Sequence, residues 1–158
     1  MKYSSRILSL LALVSMTVFF AGCDKGEDNK KSQKDQQIAK LVGTWEASAN
    51  SVSFEGDPQA DYDNFSITLT GDNGDDALGY TITGRPAGKQ GPWNASGDLE
   101  FGSPVTSQLV RDGDGLEITY VLTGANTLTL SFTLPEGGGF PGRTGEIDGD
   151  WEFVLTKQ

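Results

Sequence analysis

The chain has 158 residues, of which 36% are hydrophobic, enough for one modest domain and a leader segment. Its formal net charge of −10 would repel a polyanion, so nucleic-acid binding is not expected. With no histidine and a single cysteine, it can form neither a Ser-His-Asp nor a Cys-His catalytic site, and a zinc site normally needs those ligands. We therefore do not expect an enzyme.

The first residues have the composition of a secretory signal. Lys2 and Arg6 supply the positive charge, and an apolar run of about 15 residues follows, from Ile7 to Ala21. That run is shorter than the roughly 20 residues that a helix needs to cross a bilayer. It ends at Cys23, the single cysteine of the chain.

The sequence Phe20-Ala21-Gly22-Cys23 resembles the lipobox of bacterial lipoproteins. In that family the cysteine thiol is acylated, the leader is cleaved before it, and the new N-terminus is acylated as well. The resemblance implies that residues 1–22 are a signal peptide and that acylated Cys23 binds the membrane, since more than one lipid chain anchors stably. The alternative is an ordinary cleaved signal with an incidental cysteine.

The stretch after Cys23 is charged and contains no apolar residue through Gln37, which is typical of a flexible tether over residues 23–37. Acidic Asp24, Glu27 and Asp28 resemble the export signal of some Gram-negative surface lipoproteins. We therefore expect an outer-membrane lipoprotein, on either the periplasmic or the cell-surface face.

A short helix is predicted over residues 33–42. Ser32 and Asp35 form a capping pair, and Ile38 begins an apolar face with i, i+3, i+4 spacing. Gly43 then ends the helix.

From Thr44 onward, apolar side chains alternate with hydroxyl side chains, most regularly in Thr127–Leu134. Strands with one apolar face and one solvent-exposed face predict an antiparallel sheet. Short turns such as Asp112-Gly113 predict an up-and-down meander of about eight strands. Such a sheet must close or stack to hide its apolar face and edges. The predicted strands are 44–48, 65–70, 80–83, 99–101, 106–111, 116–122, 127–134 and 150–156, with 51–54 as an additional candidate.

The tripeptide Gly43-Thr44-Trp45 resembles the G-x-W signature of lipocalins and fatty-acid-binding proteins, and it follows a short helix as it does there. The resemblance implies an all-β, lipocalin-like barrel over residues 38–158 whose closed end is plugged by Trp45. In those families an arginine of a late strand usually covers the tryptophan, whereas the last strand here offers Lys157. A two-sheet β-sandwich is the competing architecture.

Two long loops rich in glycine and proline, residues 84–93 and 135–146, each carry an aromatic side chain and positive charge. Loops at a barrel mouth often carry function, and these cations suit an anionic or sugar ligand. The alternative is exposed loops whose aromatic side chains are tucked back onto the barrel. The candidate ligand-binding residues are Arg85, Lys89, Trp93, Phe140 and Arg143.

The loop Gly71–Asp76 concentrates oxygen ligands of the kind that calcium prefers. Its spacing is not that of an EF-hand, and the same residue types build turns by bonding their own backbone. The candidate ligands are Asp72, Asn73, Asp75 and Asp76.

Two functional classes remain open. A tethered, monomeric binding module would hold an apolar small molecule or a glycan at its mouth. A structural or interaction lipoprotein would instead have a core filled by its own side chains and no ligand, as small barrels often do.

Overall fold

The computed structural model describes residues 31–86, 91–137 and 147–158, and they form a closed antiparallel barrel of eight strands with one short helix. The predicted all-β, lipocalin-like barrel is therefore confirmed in preference to the sandwich. The elements are α1 (Gln33–Leu41), β1 (Gly43–Glu46), β2 (Val52–Phe54), β3 (Asp57–Pro58), a 3₁₀ turn (Ala60–Tyr62), β4 (Ser66–Thr70), β5 (Ala77–Thr83), β6 (Ser96–Phe101), β7 (Gln108–Arg111), β8 (Glu117–Thr123), β9 (Thr127–Leu134) and β10 (Gly149–Lys157).

From β4 to β10 each strand pairs antiparallel with the next strand in the chain, as the meander prediction requires. The barrel closes through β10, which pairs with β9 along most of its length and also with β1, where Trp45 lies opposite Lys157. The other end of β10 pairs with β2, and the β2–β3 hairpin extends the sheet beyond the closure. Strand β3, only two residues long and containing a proline, was not predicted.

Helix α1 begins with the predicted capping box. The Asp35 amide donates to Ser32 Oγ (3.0 Å), and the Ser32 amide donates to Asp35 Oδ2 (3.1 Å). The helix starts at Gln33, as predicted, and ends at Leu41, one residue before the predicted bound. Its apolar face packs on the barrel, where Ile38 and Leu41 are buried. Within the described residues, no helix has the length and hydropathy to span a membrane.

The helix lies at the end of the barrel where β1 begins and β10 ends. Trp45 is fully buried there, and its Nε1 donates to the Leu41 carbonyl at 2.7 Å. Lys157 Nζ lies 5.0 Å from the centroid of the Trp45 ring and donates to the Lys40 carbonyl at 2.9 Å. Trp45 thus closes this end, and a lysine stands where the resemblance implies an arginine.

Aromatic side chains fill the interior. Phe65, Phe132 and Phe153 form a contiguous group, with Phe153 4.7 Å from Phe65 and 6.0 Å from Phe132 between ring centroids. Trp151 stacks on Phe153, and Tyr62 meets both rings edge-on. Bulky rings therefore occupy the space that a lipocalin-like barrel can leave for a ligand.

Candidate functional site

The end of the barrel opposite α1 carries the loop after β5 and the turn after β7, because successive strands run antiparallel. Both predicted ligand-binding loops begin at this end. The described part of the first loop brings Trp93 and Arg85 to the end of β7, where Arg111 contacts the same segment. Three of the five candidate ligand-binding residues, Lys89, Phe140 and Arg143, lie outside the described residues.

Trp93 points into the barrel and is only 1% exposed. Its ring centroid lies 5.5 Å from that of Tyr80 and 5.4 Å from that of Phe132, both edge-on, and it also contacts Phe65 and Phe153. This is the tucked-back position that the alternative interpretation of the loop describes. The indole of Trp93 therefore closes the end of the barrel opposite α1, as Trp45 closes the end at α1.

Arg111 ends strand β7 and is also buried, at 1% exposure. Its Nε and Nη2 donate to the two carboxylate oxygens of Asp114 at 3.0 and 2.6 Å, and its Nη1 donates to the Pro92 carbonyl at 2.6 Å. The guanidinium carbon lies 5.5 Å from the Trp93 ring centroid, within cation–π range. The ion pair fixes the arginine, and the arginine holds the loop that carries Trp93.

The sequence analysis did not predict this pair, because it assigned Asp112-Gly113 to a hairpin turn and Arg111 to the end of a strand. The alternation of side chains along β7 could have indicated that Arg111 is buried. Leu109 and Arg111 are two residues apart, so they share one face of the strand, and both are buried. Arg85 lies at the rim, exposed, and its Nη1 donates to the Trp93 carbonyl at 3.2 Å. Both arginines thus bind backbone carbonyls of the Pro92-Trp93 segment.

The three tryptophans differ in how their indole N–H groups are satisfied. Trp45 Nε1 bonds the Leu41 carbonyl, and Trp151 Nε1 bonds the Ile147 carbonyl at 2.9 Å, in each case four residues upstream. Trp93 Nε1 is buried and has no hydrogen-bond partner among the described residues. It is an exception to the rule that buried polar atoms are paired.

A polar groove with a volume of about 690 Å³, here called the rim groove, lies on the outer surface of β2, β8, β9 and β10, toward the end of the barrel opposite α1. A second space of about 390 Å³ adjoins it and shares Leu116, Glu117 and Thr133 with it. The parity of the strands predicts which side chains face outward, but not that the outer surface is concave here. The groove is lined by Ser53, Gly56, Leu116, Glu117, Thr119, Ser131, Phe132, Thr133, Asp150, Trp151 and Glu152.

The loop that carries the candidate calcium ligands contacts α1. The Gly74 amide donates to Asp35 Oδ1 at 2.7 Å, and Lys34 forms an ion pair with Asp76. The hydrogen bond from Lys34 lowers the pKa of Asp76, and its positive charge adds to that effect. Asp72 and Asp75 bond each other across the turn. Among residues 31–86, 91–137 and 147–158, no group of three or more His, Cys, Asp or Glu residues is placed to hold a metal ion. Asn73 is the remaining candidate ligand of the loop.

Comparison of the sequence with models of protein families and with curated proteins returns no match. The lipocalin-like character of the domain therefore rests on its geometry: the eight-stranded closure of β10 on β1, the preceding helix and the buried Trp45.

Proposed function

We propose that this chain is a membrane-anchored lipoprotein whose lipocalin-like barrel is a non-catalytic binding module for a small molecule or a glycan. The observation that carries the proposal is the rim groove of about 690 Å³, which is open to solvent and lined mostly by hydroxyl and carboxylate side chains. The buried aromatic rings of the interior favour binding at this groove rather than in the lumen.

The chemistry of the groove favours a ligand with many hydroxyl groups. Ser131, Thr133 and Thr119 offer hydroxyls that both donate and accept, and the carboxylates of Glu117 and Glu152 accept. Phe132 and Trp151 add apolar atoms to the lining of the groove. Sugars present this alternation of hydroxyl groups and apolar C–H faces.

The binding proposal is tested on a glycan array and by native mass spectrometry of protein purified from its own host. Ser131→Trp places a bulky ring in the groove, and Thr81→Trp places the same ring on the outer face of β5, away from it. We expect Ser131→Trp to abolish binding and Thr81→Trp to retain it. Absence of any bound or co-purified molecule, or equal binding by both variants, would contradict the proposal.

Anchoring through Cys23 is tested separately. Mass spectrometry of the membrane-extracted protein is expected to show loss of residues 1–22 and an added lipid mass, and Cys23→Ser is expected to release the protein from the membrane. An unmodified Cys23 in the native protein would exclude the anchor.

A structural or interaction lipoprotein is the second candidate, and the filled interior favours it. Cross-linking in intact cells distinguishes the two functions. A protein partner captured by wild type and by Ser131→Trp alike, together with no glycan or small-molecule binding, would establish this second function in place of the first.

A further inference from the structure

The turn between β4 and β5 contains Asn73-Gly74, the single Asn-Gly pair in the sequence. Both residues are exposed. Gly74 has a φ of +94°, and among the described residues no atom lies within 4 Å of the position that a Cβ would take there. Because glycine has no side chain to hinder it, its main-chain nitrogen can approach the carboxamide of Asn73 closely. The pair therefore has the composition of a site at which asparagine deamidates.

Deamidation at such a pair proceeds through a cyclic imide. The Gly74 nitrogen forms a bond to Cγ of Asn73, the bond from Cγ to Nδ2 breaks, and the proton lost by the Gly74 nitrogen leaves with the ammonia. Water then opens the imide at either of its two C–N bonds, which gives aspartate or isoaspartate. Because the first step requires the Gly74 N–H to give up its proton, a group that holds this N–H controls the reaction.

Helix α1 holds the N–H of Gly74. The amide donates a hydrogen bond of 2.7 Å to Oδ1 of Asp35, and the Ser32 hydroxyl donates to Oδ2 of the same carboxylate at 2.8 Å. The hydrogen bond from the Ser32 side chain lowers the pKa of Asp35, and the bond from Gly74 adds to that effect. A carboxylate of low pKa is a poor base for an amide proton, and its negative charge disfavours an amide anion beside it.

We propose that Asn73-Gly74 is a modification site of this protein and that Asp35 restrains its conversion to aspartate and isoaspartate. Ring closure occurs in the conformations in which the loop has separated from the first turn of α1. Asp35 is thus a positioning residue, which acts on Asn73 through the Gly74 amide. The proposal does not rest on the function proposed for the rim groove, which lies toward the other end of the barrel.

The proposal is tested by incubating the purified, folded protein at mildly alkaline pH and mapping its peptides by mass spectrometry. Deamidation replaces a side-chain NH₂ by OH, and chromatography separates the aspartate and isoaspartate peptides. Asp35→Ala is expected to convert Asn73 about tenfold faster than wild type, because it removes a hydrogen bond to a charged group. Asn73→Gln is expected to remove the signal. A rate in Asp35→Ala that is equal to or below that of wild type would overturn the proposal.

Two further variants separate the contact with Gly74 from general loosening of the helix. Ser32→Ala removes the capping hydroxyl but keeps the carboxylate that binds Gly74, so its rate is expected to stay closer to wild type than to Asp35→Ala. Acceleration by Ser32→Ala as large as that by Asp35→Ala would overturn the role of Asp35. Asp35→Asn keeps an acceptor oxygen without the charge and is expected to react at an intermediate rate. If Asp35→Ala fails to fold, Asp35→Asn decides alone, and a rate no faster than wild type would overturn the proposal.

Discussion

Lys157 Nζ lies 5.0 Å from the centroid of the Trp45 ring and donates a hydrogen bond to the Lys40 carbonyl in the last turn of α1. The same ammonium group thus lies near the face of the ring that plugs the barrel and at the negative end of the helix dipole. Lys157 also faces Trp45 across the β1–β10 pairing that closes the sheet. One side chain therefore joins the helix, the first strand and the last strand.

We predict that Lys157→Met lowers the free energy of unfolding by about 1 kcal/mol, because it removes a cation–π contact and a charge at the helix end but keeps the apolar stem. Lys157→Arg is expected to stay within about 0.5 kcal/mol of wild type, since a guanidinium can stack on the same ring. Urea unfolding followed by tryptophan fluorescence measures both values. A Met variant as stable as the Arg variant would refute the role of the charge.

Gly84, just after β5, is predicted to be intolerant of any side chain. It has a φ of +68°, and a Cβ placed there would lie 1.8 Å from the Asn64 carbonyl oxygen. Gly84→Ala is therefore expected to lower the free energy of unfolding by about 3 kcal/mol or more, because backbone overlap adds to left-handed strain.

The matched control for Gly84 is Gly113, which has a φ of +92° but no atom within 4 Å of the position that a Cβ would take. Gly113→Ala is expected to lower the free energy of unfolding by about 1–2 kcal/mol, from strain alone. Chemical denaturation of the two variants side by side gives the difference. Similar losses in both would show that the contact with Asn64 is relieved without cost.

The buried Arg111–Asp114 pair gives a third prediction. Asp114→Ala removes the carboxylate that accepts two hydrogen bonds from the buried Arg111 guanidinium, and it is expected to lower the free energy of unfolding by about 3 kcal/mol. The double variant Arg111→Met, Asp114→Ala removes both charges and is expected to lose less than the sum of the single losses. Asp112→Ala, at an exposed position in the same turn, serves as the control. Strict additivity in the double-mutant cycle would argue against a coupled pair.

Alkaline pH is predicted to destabilise the barrel through its tyrosines. Burial raises the pKa of Tyr62 to about 12, with the negative charge of Asp61 adding to it, and burial raises the pKa of Tyr120 to about 12. Because these folded-state values lie above the ordinary 10.0, the associated stability is complete below pH 10 and is lost as the pH rises toward about 12. Urea unfolding across this interval measures the loss, and tyrosinate absorbance follows the ionisation. Stability that stays constant up to pH ~12 would contradict the prediction.

Much of the fold follows from local sequence patterns. The alternation in Thr127–Leu134 predicts β9 with its observed bounds, and Ser32 with Asp35 predicts the observed capping box. These features depend on residues that are near one another in the chain. Strand β3 was missed because Asp57–Pro58 has neither length nor alternation, and its pairing is set by the neighbouring β2.

The side-chain contacts at the two ends of the barrel could not be predicted from local sequence patterns. Lys157 reaches a carbonyl 117 residues away in sequence, and no local pattern shows such a contact. Trp93 lies in a segment rich in glycine and proline whose composition predicts a loop, and composition does not show that the loop folds inward. Arg111 has the parity of a core position, but a buried charge is expected only once its partner Asp114 is seen beside it.

The closure of β10 on β1 has a consequence for the synthesis of the chain. Strand β1 is made early, yet one of its two barrel neighbours is made only when residues 156 and 157 have been added. Until then the nascent barrel has an open seam, and the unpaired edge of β1 is available to other chains. Contacts of such high sequence separation also slow folding. The first strand therefore needs protection from other chains until translation has reached Lys157 and β10 can pair with it.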